Sequence, residues 1–246
     1  LAEAILGFRR DPETGPVVTC GRCPNISGVR EWEGWSFADK AFWVRVAGDQ
    51  NRSLFTKGVG VVAIADADEW DDIGSPAGNC GFFNAFMTTP AIDLASITEG
   101  SLNFTFDSSW RPESFDDGDG SNNQTAKIKA IYTVGGVEQA PVDVLHWDSD
   151  NGNGPSGVPS PFFHDDNENE TVILSLNELT VPAGATSVRF EFGLTNAGND
   201  WWWAVDNLVV TADSVGTPVT LFSEDFEGLT LEVPVDEVPT GCGVTY

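Results

Sequence analysis

Apolar and polar positions alternate along most of this chain. Ser101–Asp107 and Ala126–Val134 each place every second residue on an apolar face, the period of a strand with one side buried and one side wet. Phe42–Val46, Gly58–Ala65, Val142–Trp147, Glu170–Leu176, Ser187–Gly193, Trp201–Val210 and Val219–Leu231 are β-branched or aromatic runs bounded by Gly, Asn, Asp or Pro. The pattern predicts roughly nine to twelve strands and one short helix, over Ser36–Ala41. Before Trp32 the periodicity fades, and Pro12, Gly15, Pro16, Pro24 and Gly28 predict an irregular arm. Short strands at regular spacing predict an all-β fold, a jelly-roll β-sandwich of two antiparallel sheets.

Charge narrows the partners. Twelve Lys and Arg stand against 38 Asp and Glu, a formal charge of -26 over 246 residues. Nucleic acid and anionic membranes would be repelled, whereas divalent cations or a saline medium suit such a surface. A solvated acidic surface with no metal is the competing reading. No apolar run is long enough to span a bilayer, so membrane insertion is not expected. The chain opens on Leu1 without a visible signal peptide, as expected of a processed mature form or a fragment.

The candidate chemistry is sparse. Cys20, Cys23, Cys80 and Cys242 allow three disulfide pairings. The Cys20–Cys23 spacing suits redox or zinc chemistry, but neither a βαβ context nor a second close pair accompanies it, so disulfides in an oxidising compartment are expected. Sequons at Asn25, Asn51, Asn103, Asn123 and Asn169 permit N-glycosylation. The loops at Phe115–Asn123 and Asp148–Gly154 are rich in Asp, Asn and Gly; they read either as calcium loops or as ordinary turns. The cluster Asp66, Asp68, Glu69, Asp71 and Asp72 is equally ambiguous. His146 in a strand reads as structural, and His164 in a loop as a lone candidate ligand. No hydrolase or phosphate-loop motif is present, and no catalytic activity is expected. Nine Trp raise the alternative of a carbohydrate-binding module, with Trp70, Trp110 and Trp202 as a candidate glycan platform against a core role for each.

Three further segments, Phe83–Leu94, Leu102–Trp110 and Ala204–Leu208, combine with the C-terminal Leu221–Gly228 into a familiar set. Over residues 32–231 the chain resembles the cleaved-adhesin (choice-of-anchor J) domains of secreted bacterial proteins, which are similar to animal MAM domains. In that pattern an Asp-Phe-Glu strand opens the domain and a Val-Asp-Asn strand closes it. The resemblance implies a jelly roll with structural Ca²⁺, secreted or held at the cell surface, working in adhesion or attached to secreted enzymes. Asp225 and Glu227 match the opening motif and Asp206 the closing one; with Glu224 they are the candidate calcium ligands. The alternative is that Asp206 and Glu227 only accept hydrogen bonds from nearby backbone.

The order is inverted, for the closing segment precedes the opening one. Three arrangements follow: the last strand is donated to a neighbouring copy, it folds back on its own sheet, or the chain is one unit of a repeat array. Donation would build a head-to-tail homopolymer, with Leu221, Phe222, Phe226, Leu229 and Leu231 filling the neighbour's open slot and Phe222 and Phe226 on one face. The expected organisation is an arm over 1–31, a jelly roll over 32–212, and a linker with the C-terminal strand over 213–246. The function expected from these residues is structural or adhesive, extracellular, calcium-stabilised and self-assembling.

Overall fold

The computed structural model describes residues 9–11, 34–72, 83–112, 124–154, 156–197, 201–231, 238–240 and 243–245. All four cysteines, Asn25, Asn123, the loop at 115–123 and the side chain of Trp70 lie outside the described residues.

The alternating segments become two packed antiparallel sheets. One contains β4 (Phe83–Thr88), β11 (Ala185–Ala197), β7 (Thr125–Val134) and β9 (Val142–Asp148), in that order. Short strands extend it: β1 (Arg9–Asp11) on β4, β5 (Ile92–Asp93) on β11, and β8 (Val137–Glu138) on β7. The other sheet runs β10 (Asn167–Leu174), β6 (Asn103–Arg111), β12 (Trp202–Ser214), β3 (Val61–Asp66) and β2 (Ser36–Asp39). Pairing β3 with β12, β4 with β11, β6 with β10 and β7 with β9 makes one long antiparallel ribbon that wraps across both sheets. That rolled ribbon is the jelly roll. β14 (Val238–Thr240) and β15 (Gly243–Thr245) form a separate two-stranded ladder.

Phe104, Phe106, Phe190, Phe192 and Trp203 fill the space between the sheets, with Phe104 stacked on Phe190 at 4.4 Å between ring centroids. Such rings each bury a large apolar area, so this layer is the main source of cohesion. The opposite face of β12 is covered too. Trp202 and Ala204 lie under α1 (Lys40–Val46) in a second apolar cluster with Trp43, Phe55, Val62 and Ile64.

Several elements differ from the sequence expectation, among them a second short helix over Ala67–Asp72. Phe42–Val46 is helix, and Ser36–Asp39 ahead of it is strand, reversing the expected assignment of that stretch. The Asp39 side chain accepts the Phe42 N–H at 2.9 Å, an N-cap that starts a helix whose Phe42 and Trp43 face the sheet. Lys40 Nζ ties the start of the helix to the carbonyls of Phe55 and Gly58. Part of the expected arm is also ordered structure, since β1 pairs with β4.

The C-terminal strand β13 (Thr217–Glu224) folds back on β12 of the same chain, in a ladder from Ser214↔Thr217 to Leu208↔Glu224. The strand ends at Glu224 rather than continuing to Leu231. Phe226 adopts a left-handed backbone (φ 59°) and turns its buried ring against Phe37 at 5.2 Å. Leu229 is buried as well, while Leu221, Phe222 and Leu231 pack against the core from partly exposed positions.

Candidate functional site

β3 and β13 occupy the same edge of β12, end to end. β3 pairs with Trp202–Val205 and β13 with Leu208–Ser214, while β6 lines the other edge. Between them Asn207 adopts φ 53° and the β12–β6 register slips between Asp206 and Val209. The slip changes the strand's phase, which moves Leu208 into the inter-sheet core rather than onto the face of Trp202. It also leaves an unpaired gap in the ladder, and carboxylates fill it.

Asp206 is 1% exposed; its Oδ2 accepts the Val59 N–H at 3.0 Å and its Oδ1 the Asn207 N–H at 2.7 Å. Glu227 Oε1 accepts the Val61 N–H at 2.8 Å. The opening and closing motifs therefore meet on one short segment, Val59–Val61. Burial pushes Asp206 up to about 6, with Glu227 and Asp107 adding repulsion. Asp107, the register partner of Asp206, accepts from Asn207 Nδ2 at 3.0 Å and from the Thr171 hydroxyl at 2.6 Å. Lys57 Nζ lies 3.9 Å from Asp107. Asp107, Lys57 and the glycine between the two anchored amides escaped the sequence reading: Asp107 lies in the Leu102–Trp110 segment with no ligand role attached to it, and the other two carry no motif.

The other two expected ligands point into their own turn. Glu224 Oε1 accepts the Phe226 N–H at 2.6 Å and Asp225 Oδ1 the Glu227 N–H at 3.2 Å. Among the described residues no three carboxylates, imidazoles or thiolates gather closely enough to form a ready-made metal site. The donors at the junction are nonetheless all oxygen: Glu227 and Asp107 lie close enough to Asp206 to repel its charge, and Lys57 is near Asp107 alone, a chemistry that would suit a hard cation such as Ca²⁺.

The turn joining β12 to β13 is Val215–Gly216, with φ of 52° and 77°. Two left-handed residues are the requirement of a type I′ hairpin, which favours Asn-Gly. A β-branched residue at its first position is strained, and Val215, 97% exposed, buries nothing in return.

Elsewhere the candidates resolve into structure. Trp110 and Trp202 are fully buried, so neither offers a ring face to a sugar. Trp110 Nε1 donates to the His164 carbonyl and Trp202 Nε1 to Ser109 Oγ. Of the acidic cluster, Asp66, Asp68 and Glu69 surround Arg52, itself fully buried, while the side chains of Asp71 and Asp72 lie outside the described residues: Nε and Nη2 bond Asp66 at 3.0 and 3.1 Å, and Nη2 bonds Asp68 at 2.9 Å. Its guanidinium lies 4.4 Å from the Trp202 ring centroid. In the loop after β9, Asp148, Asp150 and Asn151 each accept the N–H two residues on, the geometry of ordinary Asx turns. His146 stacks on Phe162, and His164 stacks on Trp147 while its Nε2 meets Glu170 at 2.9 Å. Of the sequons, Asn51 is exposed, and Asn103 and Asn169 are half-buried. Among the described residues no helix is long and apolar enough to cross a membrane.

No family model and no curated protein matches the chain. Among solved structures it is similar to the K3 cleaved adhesin domain of Lys-gingipain from Porphyromonas gingivalis w83, at 12% identity and a TM-score of 0.36, over 63% of this chain and 75% of that one. The enzymatically active domain of bacteriophage CBA120 tailspike protein 4 is similar at 13% identity and 0.31, over 80% and 24%. A non-crystalline cellulose specific carbohydrate-binding module, CBM28, is similar at 10% and 0.32, over 76% and 93%.

Proposed function

We propose that this chain is a non-catalytic, extracellular structural or adhesive module that self-associates by exchanging β13 between copies. The observation that carries this reading is Val215. The turn that keeps β13 on its own sheet holds a solvent-exposed valine in a left-handed conformation, at a cost of about 1–3 kcal/mol. Exchange reproduces every β12–β13 contact in a neighbour and extends the turn, which releases that strain. Short hinges under strain favour such swapping. The buried Phe226 and Leu229 give the exchanged segment its anchor. A closed pair results if two copies exchange reciprocally, and an open fibre if each donates onward.

Calcium belongs to the same reading. Held by Asp206 and Glu227, with Asp107 beside them, it would neutralise the charge crowded where the end of β13 meets the start of β3. In an exchanged assembly those two carboxylates come from different copies, so the ion would brace the joint.

The test is size-exclusion chromatography with light scattering over a range of concentrations. Wild-type chain should show dimers or larger species that grow with concentration. Val215→Gly, which accepts the left-handed turn, should shift the population to monomer. Gly216→Val, which adds no clash within 4 Å but strains the closed turn further, should shift it to oligomer. Monomers in all three chains at every concentration would overturn strand exchange.

A further inference from the structure

The outer face of the first sheet carries a groove of about 350 Å³ lined by Phe86, Lys127, Lys129, His146, Glu191 and Thr195, among others. It is not a gap between loops but a feature of the strand register. Phe86, Gly193, Lys127 and His146 stand directly opposite one another across β4, β11, β7 and β9. Side chains on one face of neighbouring strands at such positions are in contact range. Four strands at about 4.8 Å spacing put Phe86 and His146 roughly 14 Å apart, with the trough between them.

Gly193 makes the trough. A Cβ at that position would meet the Phe86 ring at 2.9 Å, so the ring leans across the glycine and presents a flat apolar surface beside the floor. On the far side His146 is stacked on Phe162 at 3.8 Å, and Phe162 is 48% exposed. Burial, then Lys127, lowers the pKa of His146, so the ring is a neutral donor and acceptor at pH 7.

The next row supplies charge in compensated pairs. Thr88, Glu191, Lys129 and Asp143 are register neighbours; Lys129 Nζ lies 3.4 Å from Glu191, and Lys127 Nζ lies 3.0 Å from Asp143. On the other flank Thr195 pairs with Thr125. The groove thus offers two ring surfaces and alternating donors and acceptors with no excess charge, in a molecule of net charge -26.

We infer that this groove is a binding site for a neutral oligosaccharide chain. Pyranose rings present apolar C–H faces to aromatic rings and vicinal hydroxyls to paired donors and acceptors, and both surfaces lie along one trough here. A polyanionic glycan would meet the overall negative field and find each lysine already paired. Phe86 supplies the stacking surface. Lys127, Lys129 and Glu191 bond the hydroxyls, and Gly193 gives the Phe86 ring room to lie across the floor. The site is remote in the fold from β13, so it stands or falls apart from strand exchange.

Native gel electrophoresis through soluble polysaccharides tests the site. The probes are the neutral hydroxyethylcellulose, xyloglucan, galactomannan and mixed-linkage β-glucan, and the acidic polygalacturonate. Wild-type chain should be retarded by at least one neutral polymer and not by polygalacturonate. Phe86→Ala should weaken that retardation about tenfold, the loss of one ring contact. Lys127→Met, a surface change that leaves the floor intact, should weaken it as well, with the melting temperature unchanged. Retardation by polygalacturonate alone, by no polymer, or at the wild-type level in both variants would overturn the proposal.

Discussion

Arg52 shows how a single residue decides what its neighbours are. Asp66, Asp68 and Glu69 form an acidic run that by itself suits a cation site. The fold places a fully buried guanidinium among them, with Glu69 at 3.6 Å completing the set. Burial works against the charge of Arg52, but Asp66, Glu69 and Asp68 outweigh it and keep it ionised. Asp66 also accepts Nε1–H of Trp43 at 2.7 Å, so the ion cluster locks α1 onto the sheet. Arg52→Ala strands Asp66 in the interior and empties the space against Trp202. It should cost about 3–5 kcal/mol in urea unfolding. A loss below about 1 kcal/mol would show that water or a solute ion replaces the guanidinium at little cost.

At the scale of elements, the junction of β3 and β13 depends on Gly60. Its φ is +61°, and a Cβ would sit 2.0 Å from Glu227 Oε1. Gly60→Ala imposes a left-handed alanine, costing about 1 kcal/mol, and drives the carboxylate off the Val61 N–H, about 1–3 kcal/mol more. Glu227→Ala should show only the second part. Equal stability of Gly60→Ala and wild type in denaturant titration would mean that Glu227 does not hold this edge. The meeting of the two motifs was legible through the resemblance, which sets Val-Asp-Asn and Asp-Phe-Glu side by side, although Asp-Phe-Glu lies in the turn just past β13. Less legible was the way they meet. Asn207 and Phe226 both adopt positive φ, and those two kinks convert an expected continuous strand into a bulge and a turn. The helix over Lys40–Val46 escaped for a related reason. Its Phe, Trp and Val content matches a strand, and the deciding signal is one capping aspartate and the tertiary cover it reaches. The groove could not be read at all, since Phe86, Lys127, His146 and Gly193 come from four strands, each ordinary in its own segment.

For the whole molecule, the question is how a sandwich of net charge -26 tolerates carboxylates at its central seam. Asp206 ionises at about 6 in the folded chain against 3.8 for an unperturbed group, burial being the main cause. The folded state therefore holds a proton that the unfolded state has released between these values. Stability falls as pH rises from about 4 to 6, and the loss is complete above the folded value. A cation at the junction favours the charged form and opposes that loss. In excess EDTA the melting temperature should therefore decline across this window, and Ca²⁺ should restore it at pH 7 but not at pH 4, where Asp206 is protonated. Because any salt relieves self-repulsion in so acidic a protein, the comparison needs matched ionic strength and a Mg²⁺ control. Equal melting temperatures in Ca²⁺, Mg²⁺ and EDTA at pH 7 would leave Asp206 and Glu227 as backbone acceptors alone. A rise specific to Ca²⁺, absent in Glu227→Ala, would make the seam a metal-braced joint, which is where an exchanged β13 would need one.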